Sequence, residues 1–420
     1  MTVTILARVV RGLEWVAADE VATALPAVRP RLAAREVTFE TGRWPEPGLL
    51  ALRTVDDAFL RVAVRDGVGA TRDVPARVAA WCARLDWATW RDRLGQLRPV
   101  PERPRFDVVA SLDGRRSFNR FALENTVGAA IAARLGGVFA ARDGAGRTPG
   151  ETDLTVRLMV RGPQLVVALR LGVRPLHRRA YKLATGAGTL HPPLAAAMAR
   201  LALPTGPPVA GLPVARLPVA GTPQAGAASR GGAASRGGVS QVPVVADPFC
   251  GDGTIAIEAA YALPAATVLG TDLDPGRLAN ARDNAGRAGQ RIGFGRADAA
   301  RLPWRPGAVT SVLTNPPWEV AVRAGGALAE SLVPFLSALP GVLPAYGRVA
   351  LVLDAELDGA DLLARRGLRV LLGQRIRLAG RISDLLLCAP DDAGADGLVD
   401  GLGAWRERAL AGGLITPDGF

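Results

Sequence analysis

Asn315-Pro316-Pro317-Trp318 follows the apolar run Val309–Leu313 and sets a carboxamide, two rigid residues and an indole at the end of an expected strand. An exocyclic amine on a base, or a carboxamide nitrogen, is a poor nucleophile because its lone pair is delocalised into the neighbouring π-system. The Asn315 side-chain oxygen and the Pro316 carbonyl can each accept one N–H of such a group. That holds the nitrogen near tetrahedral geometry with its lone pair directed at an electrophilic methyl. The two prolines stiffen the loop, since each fixes its own φ and lacks a donor. Trp318 offers a flat face for an unstacked ring. These residue types support methyl transfer to a planar nitrogen; the plainer reading is a turn after a strand, a common use of Asn-Pro.

A second motif supplies what such a transfer needs. The apolar run Pro243–Ala246 ends at Asp247, and Pro248-Phe249-Cys250-Gly251-Asp252-Gly253-Thr254 leads into Ile255–Ala262, which has helix-forming composition. The pattern is strand, glycine loop, helix: Gly251 and Gly253 admit a ligand to bare backbone, and the helix N-terminus supplies unpaired N–H groups. About twenty residues on, as expected of a ribose-binding carboxylate, Thr267–Thr271 ends in Asp272-Leu273-Asp274-Pro275. Asp272 is placed to accept from two ribose hydroxyls, whereas Asp274 reads as the cap of a helix starting near Arg277. Arg291–Gly295 is followed by Asp298, which could take an adenine amino group. A glycine loop with a ribose acid would equally suit NAD, but a dehydrogenase has no use for Asn-Pro-Pro-Trp on the fourth strand.

Together these motifs resemble the class I S-adenosylmethionine (SAM)-dependent methyltransferases that act on amino groups, over Val242 to about Pro390. The resemblance implies a Rossmann-like sheet, SAM as cofactor, and a cofactor site formed by Asp247, Phe249, Gly251, Gly253, Thr254, Asp272, Leu273, Asp298, Ala299 and Asn315. It implies Asn315, Pro316, Pro317 and Trp318 as the catalytic set. Two departures stand out. Glu319 follows the tetrapeptide where relatives commonly have glycine, and it either accepts a guanine N1–H or caps the next helix. Asp252 stands where a small hydroxyl residue is frequent.

The elements that must carry these motifs belong to a chain of 420 residues, enough for two or three domains with ample core. The net charge of +12 suits a partner that is a polyanion. Lys182 is the only lysine, and abundant Ala, Gly and Pro point to a GC-rich genome, so part of the arginine count reflects codons. Cys82, Cys250 and Cys388 are far apart and His177 and His191 are the only histidines, which gives no metal or disulfide signature. Cys250 reads as a small packing residue. No signal-like N-terminus and no apolar span of ~18 residues is present, so the expectation is a cytoplasmic protein without membrane or metal.

Val3–Val10, Leu13–Leu25, Val37–Phe39, Leu49–Arg53 and Phe59–Val64 read as a β-α-β-β-type series, a small ferredoxin-like α/β sandwich. Pro75–Leu97 reads as one helical stretch whose Trp81, Trp87 and Trp90 pack into a core or stack bases. Phe106–Leu112 reads as a strand, Ser117 as the N-cap of a helix to about Leu135, and Asp153–Val160 with Gln164–Leu171 as a hairpin about Arg161-Gly162-Pro163. Arg11-Gly12-Leu13-Glu14, Leu52-Arg53-Thr54-Val55-Asp56-Asp57, Leu176-His177-Arg178-Arg179 and Thr189-Leu190 through Leu194-Ala195-Ala196-Ala197-Met198 are similar to the N-terminal half and connector of THUMP-domain RNA methyltransferases. They are most like the subgroup that forms N2-methylguanosine in tRNA.

The resemblance implies an α/β protein of six segments: a ferredoxin-like domain (1–66), a THUMP RNA-binding domain (67–174), a connector with a first helix (175–203), a low-complexity insert (204–242), a Rossmann-like methyltransferase domain (243–390), and a tail (391–420). The methyltransferase sheet is expected to be mostly parallel, with its last strand antiparallel. THUMP modules grip the 3′ single-stranded end of tRNA, so the catalytic domain would reach a fixed distance along the acceptor stem, to the sixth nucleotide. Recognition by shape fits the narrow A-form major groove. Arg178, Arg179 and Lys182 are then RNA contacts, or else a solvated basic turn, and the protein is expected to act as a monomer. The insert repeats Ala-Ala-Ser-Arg-Gly-Gly at 227–232 and 233–238 and cannot build a core, so disorder is expected there. Alternatives are an rRNA guanine-N2 or adenine-N6 methyltransferase, a protein-glutamine methyltransferase, or a noncatalytic RNA-binding protein.

Overall fold

The computed structural model describes the chain except residues 1, 26, 142–149, 184, 187, 204–241, 318–327, 329–330, 379–380, 392–399 and 418–420. Trp318, Glu319 and all but residue 242 of the expected disordered insert therefore lie outside the described residues. The chain divides into two compact units, residues 1–179 with 404–416 and residues 180–403 with 417–420.

In the first unit the strands are β1 (Val3–Arg8), β2 (Arg31–Ala33), β3 (Glu36–Thr41), β4 (Asp57–Arg65), β5 (Arg105–Leu112), β6 (Val138–Phe139), β7 (Leu154–Arg161) and β8 (Gln164–Arg170). They form one sheet in the order β2-β3-β1-β4-β8-β7-β5-β6, with strands from 1–66 and from 67–174 joined where β4 pairs with β8. Alternation places Val3, Ile5 and Ala7 in the main core and Leu6 in a small cluster with Phe59 and Met159, as the period of two requires. Helices α1 (Glu14–Ala24), α2 (Val74–Cys82), α3 (Trp87–Leu97) and α4 (Arg120–Leu135) complete the described α/β pattern. Trp87 is buried in that core and Trp81 and Trp90 pack against it, which is the packing role for all three.

Three local readings change. Leu49–Arg53 looks like a strand but Pro47–Ala51 is a 3-10 turn, with Pro47 at its start and the Glu46 side chain accepting from Gly48 N. The following amides go to a carboxylate instead of a ladder: Arg53 N and Thr54 N each donate to Glu20 at 2.8 Å. The stretch 75–97 is two helices, because Asp86 caps α3 by accepting from Thr89 N. Asn119, not Ser117, caps α4, accepting from Ala122 N at 2.9 Å.

In the second unit α5 (Pro192–Ala202) precedes β9 (Val244–Asp247), α6 (Thr254–Ala262), β10 (Thr267–Asp272), α7 (Pro275–Arg287), β11 (Ile292–Arg296), β12 (Ser311–Thr314), α8 (Val333–Val342), β13 (Arg348–Asp354), α9 (Gly359–Ala364), β14 (Leu368–Leu378) and β15 (Arg381–Pro390). A last helix, α10, spans Asp400–Ala411, and its residues from 404 on belong to the first unit. The sheet order is β11-β10-β9-β12-β13-β15-β14. The first five strands run parallel, and β15 lies antiparallel between β13 and β14. This is a Rossmann-like sheet. Its strand order reverses between β9 and β12, and an open parallel sheet binds ligands at the carboxyl ends of the strands flanking such a reversal.

Candidate active site at the switch point

Asp247 ends β9 and Thr314 ends β12, and the two are bonded across the reversal: Thr314 Oγ1 donates to Asp247 Oδ1 at 2.8 Å. Phe249 N donates to the same oxygen at 3.2 Å. Asp247 is 1 % exposed, and Oδ2, its other oxygen, is buried with no hydrogen-bond partner among the described residues. Burial raises the Asp247 carboxyl to about 7, because a charge is costly where water cannot reach it. Phe249, next in the loop, stacks edge-on against Phe335 with centroids 4.9 Å apart.

The glycine loop takes the backbone through conformations that side chains resist. Gly251 has φ +49° and Gly253 φ +83°, and Gly253 leads directly into α6 at Thr254. A Cβ on Gly251 would stand 2.6 Å from the movable Arg277 guanidinium, so it is the positive φ that favours glycine here. Cys250 is buried and burial pushes its thiol up, which suits packing and not nucleophilic attack.

Gly251 N donates to Asp272 Oδ2 at 2.9 Å, joining the loop to the end of β10. Asp272 Oδ1 accepts from Asp274 N at 3.0 Å, and Asp274 caps α7 by accepting from Gly276 N and Arg277 N. The cap reading of Asp274 stands, with the helix starting at Pro275. Leu273 is half-buried, and its carbonyl accepts from Arg296 Nε at 3.0 Å. Asp298 follows β11 and turns its own loop, Oδ1 accepting from Ala300 N at 2.9 Å, with Ala299 buried beside it. Thr254 Oγ1 and Thr271 Oγ1 are, like Asp247 Oδ2, buried polar atoms with no partner among the described residues.

Asn315 follows β12 and is half-buried, Pro316 is buried and Pro317 half-buried. Asn315 Nδ2 donates to Gly188 O at 3.3 Å, which makes Oδ1 the acceptor end of the amide. Neighbouring ends of β10, β9 and β12 thus bring Asp272, Asp247 with its glycine loop, and Asn315 to one side of the sheet.

The three basic residues of the connector have different surroundings. Arg178 is exposed. Arg179 donates to the carbonyls of Leu176 and Arg53 and so braces the first unit. Lys182 is half-buried in the second unit, and burial lowers its pKa. Sequence reasoning did not foresee the seam formed by Tyr181, Leu183, Gly186 and Thr189. Tyr181 Oη donates to Glu258 at 2.8 Å, Leu183 N to Asn284 Oδ1 at 2.8 Å, and Gly186 N to Asp252 Oδ2 at 2.6 Å. These partners lie 66–101 residues apart in sequence, beyond any local signal.

Comparison with known proteins agrees with this geometry. A model of UPF0020, described as an RMKL-like methyltransferase domain, matches residues 235–383. A tRNA (guanine(6)-N2)-methyltransferase of Thermus thermophilus is 33% identical over 249 residues, 59% of this chain and 61% of that protein, so the match spans less than two thirds of that relative. The crystal structure of TrmN from Thermus thermophilus has a TM-score of 0.67 and 27% identity, covering 92% of this chain and 99% of that one. SMU.472, a putative methyltransferase complexed with SAH, shares the fold at a TM-score of 0.61 and 15% identity, over 93% of this chain and 98% of its own. Residues 235–383 of this chain are thus similar to UPF0020, the RMKL-like methyltransferase domain.

Proposed function

We propose that the protein transfers a methyl group from SAM to the exocyclic N2 of a guanosine in tRNA, at the sixth nucleotide of the acceptor stem. The observation that carries the reading is Asn315-Pro316 at the end of β12, one strand from the buried Asp247 whose Oδ2 has no partner among the described residues. A tRNA guanine-N2-methyltransferase at 33% identity and a TrmN structure aligned over 92% of this chain support the acceptor. A tRNA substrate would place the protein in the cytoplasm. The first unit would be the ferredoxin-like and THUMP module that grips the 3′ end, and the protein would act as a monomer.

The residues present suit SAM. Asp247 Oδ2 is a buried acceptor that a cationic amine would satisfy, and the positive-φ glycines Gly251 and Gly253 open backbone N–H groups at the start of α6. Asp272 and Leu273 would flank the ribose, Asp298 and Ala299 the adenine, and Phe249 and Thr254 the remaining wall. When bound, SAM supplies the electrophilic methyl. Asn315 Oδ1 and the Pro316 carbonyl take the two N–H groups of guanine N2 and draw its lone pair out of conjugation. Trp318 supports the unstacked ring, and the surplus proton leaves to solvent.

The test is methylation of an unmodified tRNA transcript with labelled SAM, followed by nucleoside digestion and site mapping, with rRNA and ribosomal protein as parallel acceptors. N2-methylguanosine at position 6 is expected, and Asn315→Ala is expected to abolish it while tRNA binding persists. Label found only in rRNA or protein would overturn the acceptor, and comparable turnover by Asn315→Ala would overturn the role of that residue.

A further inference from the structure

Asp252 lies inside the glycine loop, and its side chain points into the seam. The side chain is fully buried. Oδ2 accepts from Gly186 N at 2.6 Å and lies 2.8 Å from Thr189 Oγ1. Oδ1 accepts from Asn280 Nδ2 at 3.2 Å and stands 3.2 Å from Arg277 Nε, both on α7. The Asp252 main-chain carbonyl takes Asn284 Nδ2 at 2.9 Å, a third partner on the same helix. Burial opposes ionisation of this carboxyl, but the bonds from Gly186, Thr189 and Asn280 and the charge of Arg277 outweigh it and hold its pKa below the ordinary carboxylate value.

The turn that Asp252 holds carries Gly188, whose carbonyl accepts from Asn315 Nδ2. A carboxamide can rotate end for end with little change in shape, so an acceptor at a fixed place decides which end is which. With Gly188 O accepting from Nδ2, the oxygen is fixed as the acceptor end of the amide; the reversed amide would turn a donor toward an amine N–H. Thr189 Oγ1 also lies 2.7 Å from Gly186 O, which tightens the same turn. A Cβ on Gly186 would meet the Arg277 guanidinium at 2.9 Å, so the two groups lie close together.

We propose that Asp252 is a positioning residue for the methyl transfer: by fixing Gly186 and Thr189, on either side of Gly188 in sequence, between the cofactor loop and α7, it sets the orientation of the Asn315 amide. This rests on the role given to Asn315 above. In the full-length protein, Asp252→Asn is expected to lower kcat by about tenfold to a hundredfold, the scale of a small misplacement of a reacting group. The dissociation constant for SAH by calorimetry and the KM for tRNA should be unchanged. Thr189→Val, which removes one hydroxyl and keeps the carboxylate, should show the same split with a smaller loss. A merely structural role would lower the melting temperature and leave kcat intact below it. Unchanged kcat in the folded Asp252→Asn variant, or a loss that tracks SAH affinity, would overturn the proposal; if that variant does not fold, unchanged kcat in Thr189→Val does so. Wild-type protein that forms no N2-methylguanosine would overturn this proposal together with the function it rests on. Active wild type, inactive Asn315→Ala and fully active Asp252→Asn would overturn this one alone.

Discussion

Carboxylates serve opposite purposes in the two sheets. In the eight-stranded sheet they bridge elements far apart in sequence. Glu36 on β3 pairs with Arg161 on β7, and Asp57 on β4 accepts from Arg170 Nε at 2.8 Å. Glu20 takes the amides of Arg53 and Thr54. In the seven-stranded sheet, aspartates at or beyond strand ends bend their own loops. Asp247, Asp272, Asp274, Asp298 and Asp354 each accept from the N–H two residues onward. A long-range bridge resists separation of elements; a short turn shapes a loop and leaves the second carboxylate oxygen to point elsewhere. The site's aspartates thus pair a local turn with a longer reach, as Asp247 does to Thr314 and Asp272 to Gly251, whereas Glu36 and Asp57 tie strand to strand by ion pairs.

Substitutions can break that distinction. The largest effect expected is at Asn315, where alanine abolishes methylation. Next is Asp57→Asn, which leaves Arg170 without its ion-pair partner in a site where both side chains are largely buried. Loss of one partner of a buried pair costs about 3–5 kcal/mol. Denaturant unfolding should show this loss, while SAH affinity measured below the transition stays at the wild-type value. Weakened SAH binding by folded Asp57→Asn would show that the two sheets do not divide their acids in this way.

Asp247→Asn should act in the reverse sense. Asparagine keeps an acceptor for Thr314 and Phe249 but carries no buried charge. Because burial raises the native carboxyl to about 7, the native state of the wild type holds its proton more tightly than the unfolded chain does. Wild-type stability from this group is therefore lost as pH rises from about 4 to about 7 and stays lost above. The ligand-free variant should gain on the order of 3 kcal/mol at pH 8, with the gain shrinking toward pH 4. SAH binding should weaken in the same variant. A destabilised Asp247→Asn at pH 8 would assign this carboxylate to the scaffold.

Much of the loop geometry at the strand ends was legible because its signals are local. Glycine, proline and aspartate punctuate the chain where β9, β10 and β12 end, and the positive φ of Gly251 and Gly253 is what such a loop requires. Asp274 was legible as a cap for the same reason. The seam was not, since Asp252 meets Gly186 and Thr189 at sequence separations of 66 and 63, and no periodicity encodes such a contact. Leu49–Arg53 misled in the opposite way. Its apolar run is strand-like, but Pro47 and a distant Glu20 decide the backbone. Trp318 and Glu319, the residues that would complete the acceptor pocket, lie outside the described residues.

The smallest effect expected falls where the two uses of a carboxylate meet. Asp274 is exposed and, among the described residues, its side chain only caps α7, yet α7 carries Arg277, Asn280 and Asn284, the groups that hold Asp252. Asp274→Ala removes the acceptor for Gly276 N and Arg277 N, at a cost of about 1 kcal/mol in unfolding free energy. If Asp252 positions Asn315 through its own charge and geometry, fraying one end of the helix should leave kcat nearly intact, because Asn280 and Asn284 lie beyond the first turn. If Asp274→Ala lowered kcat as far as Asp252→Asn does, the placement of α7 would govern the amide, and a local turn would be doing the work here assigned to a long-range bridge. Parallel denaturant melts and tRNA methylation rates for the two variants decide between them.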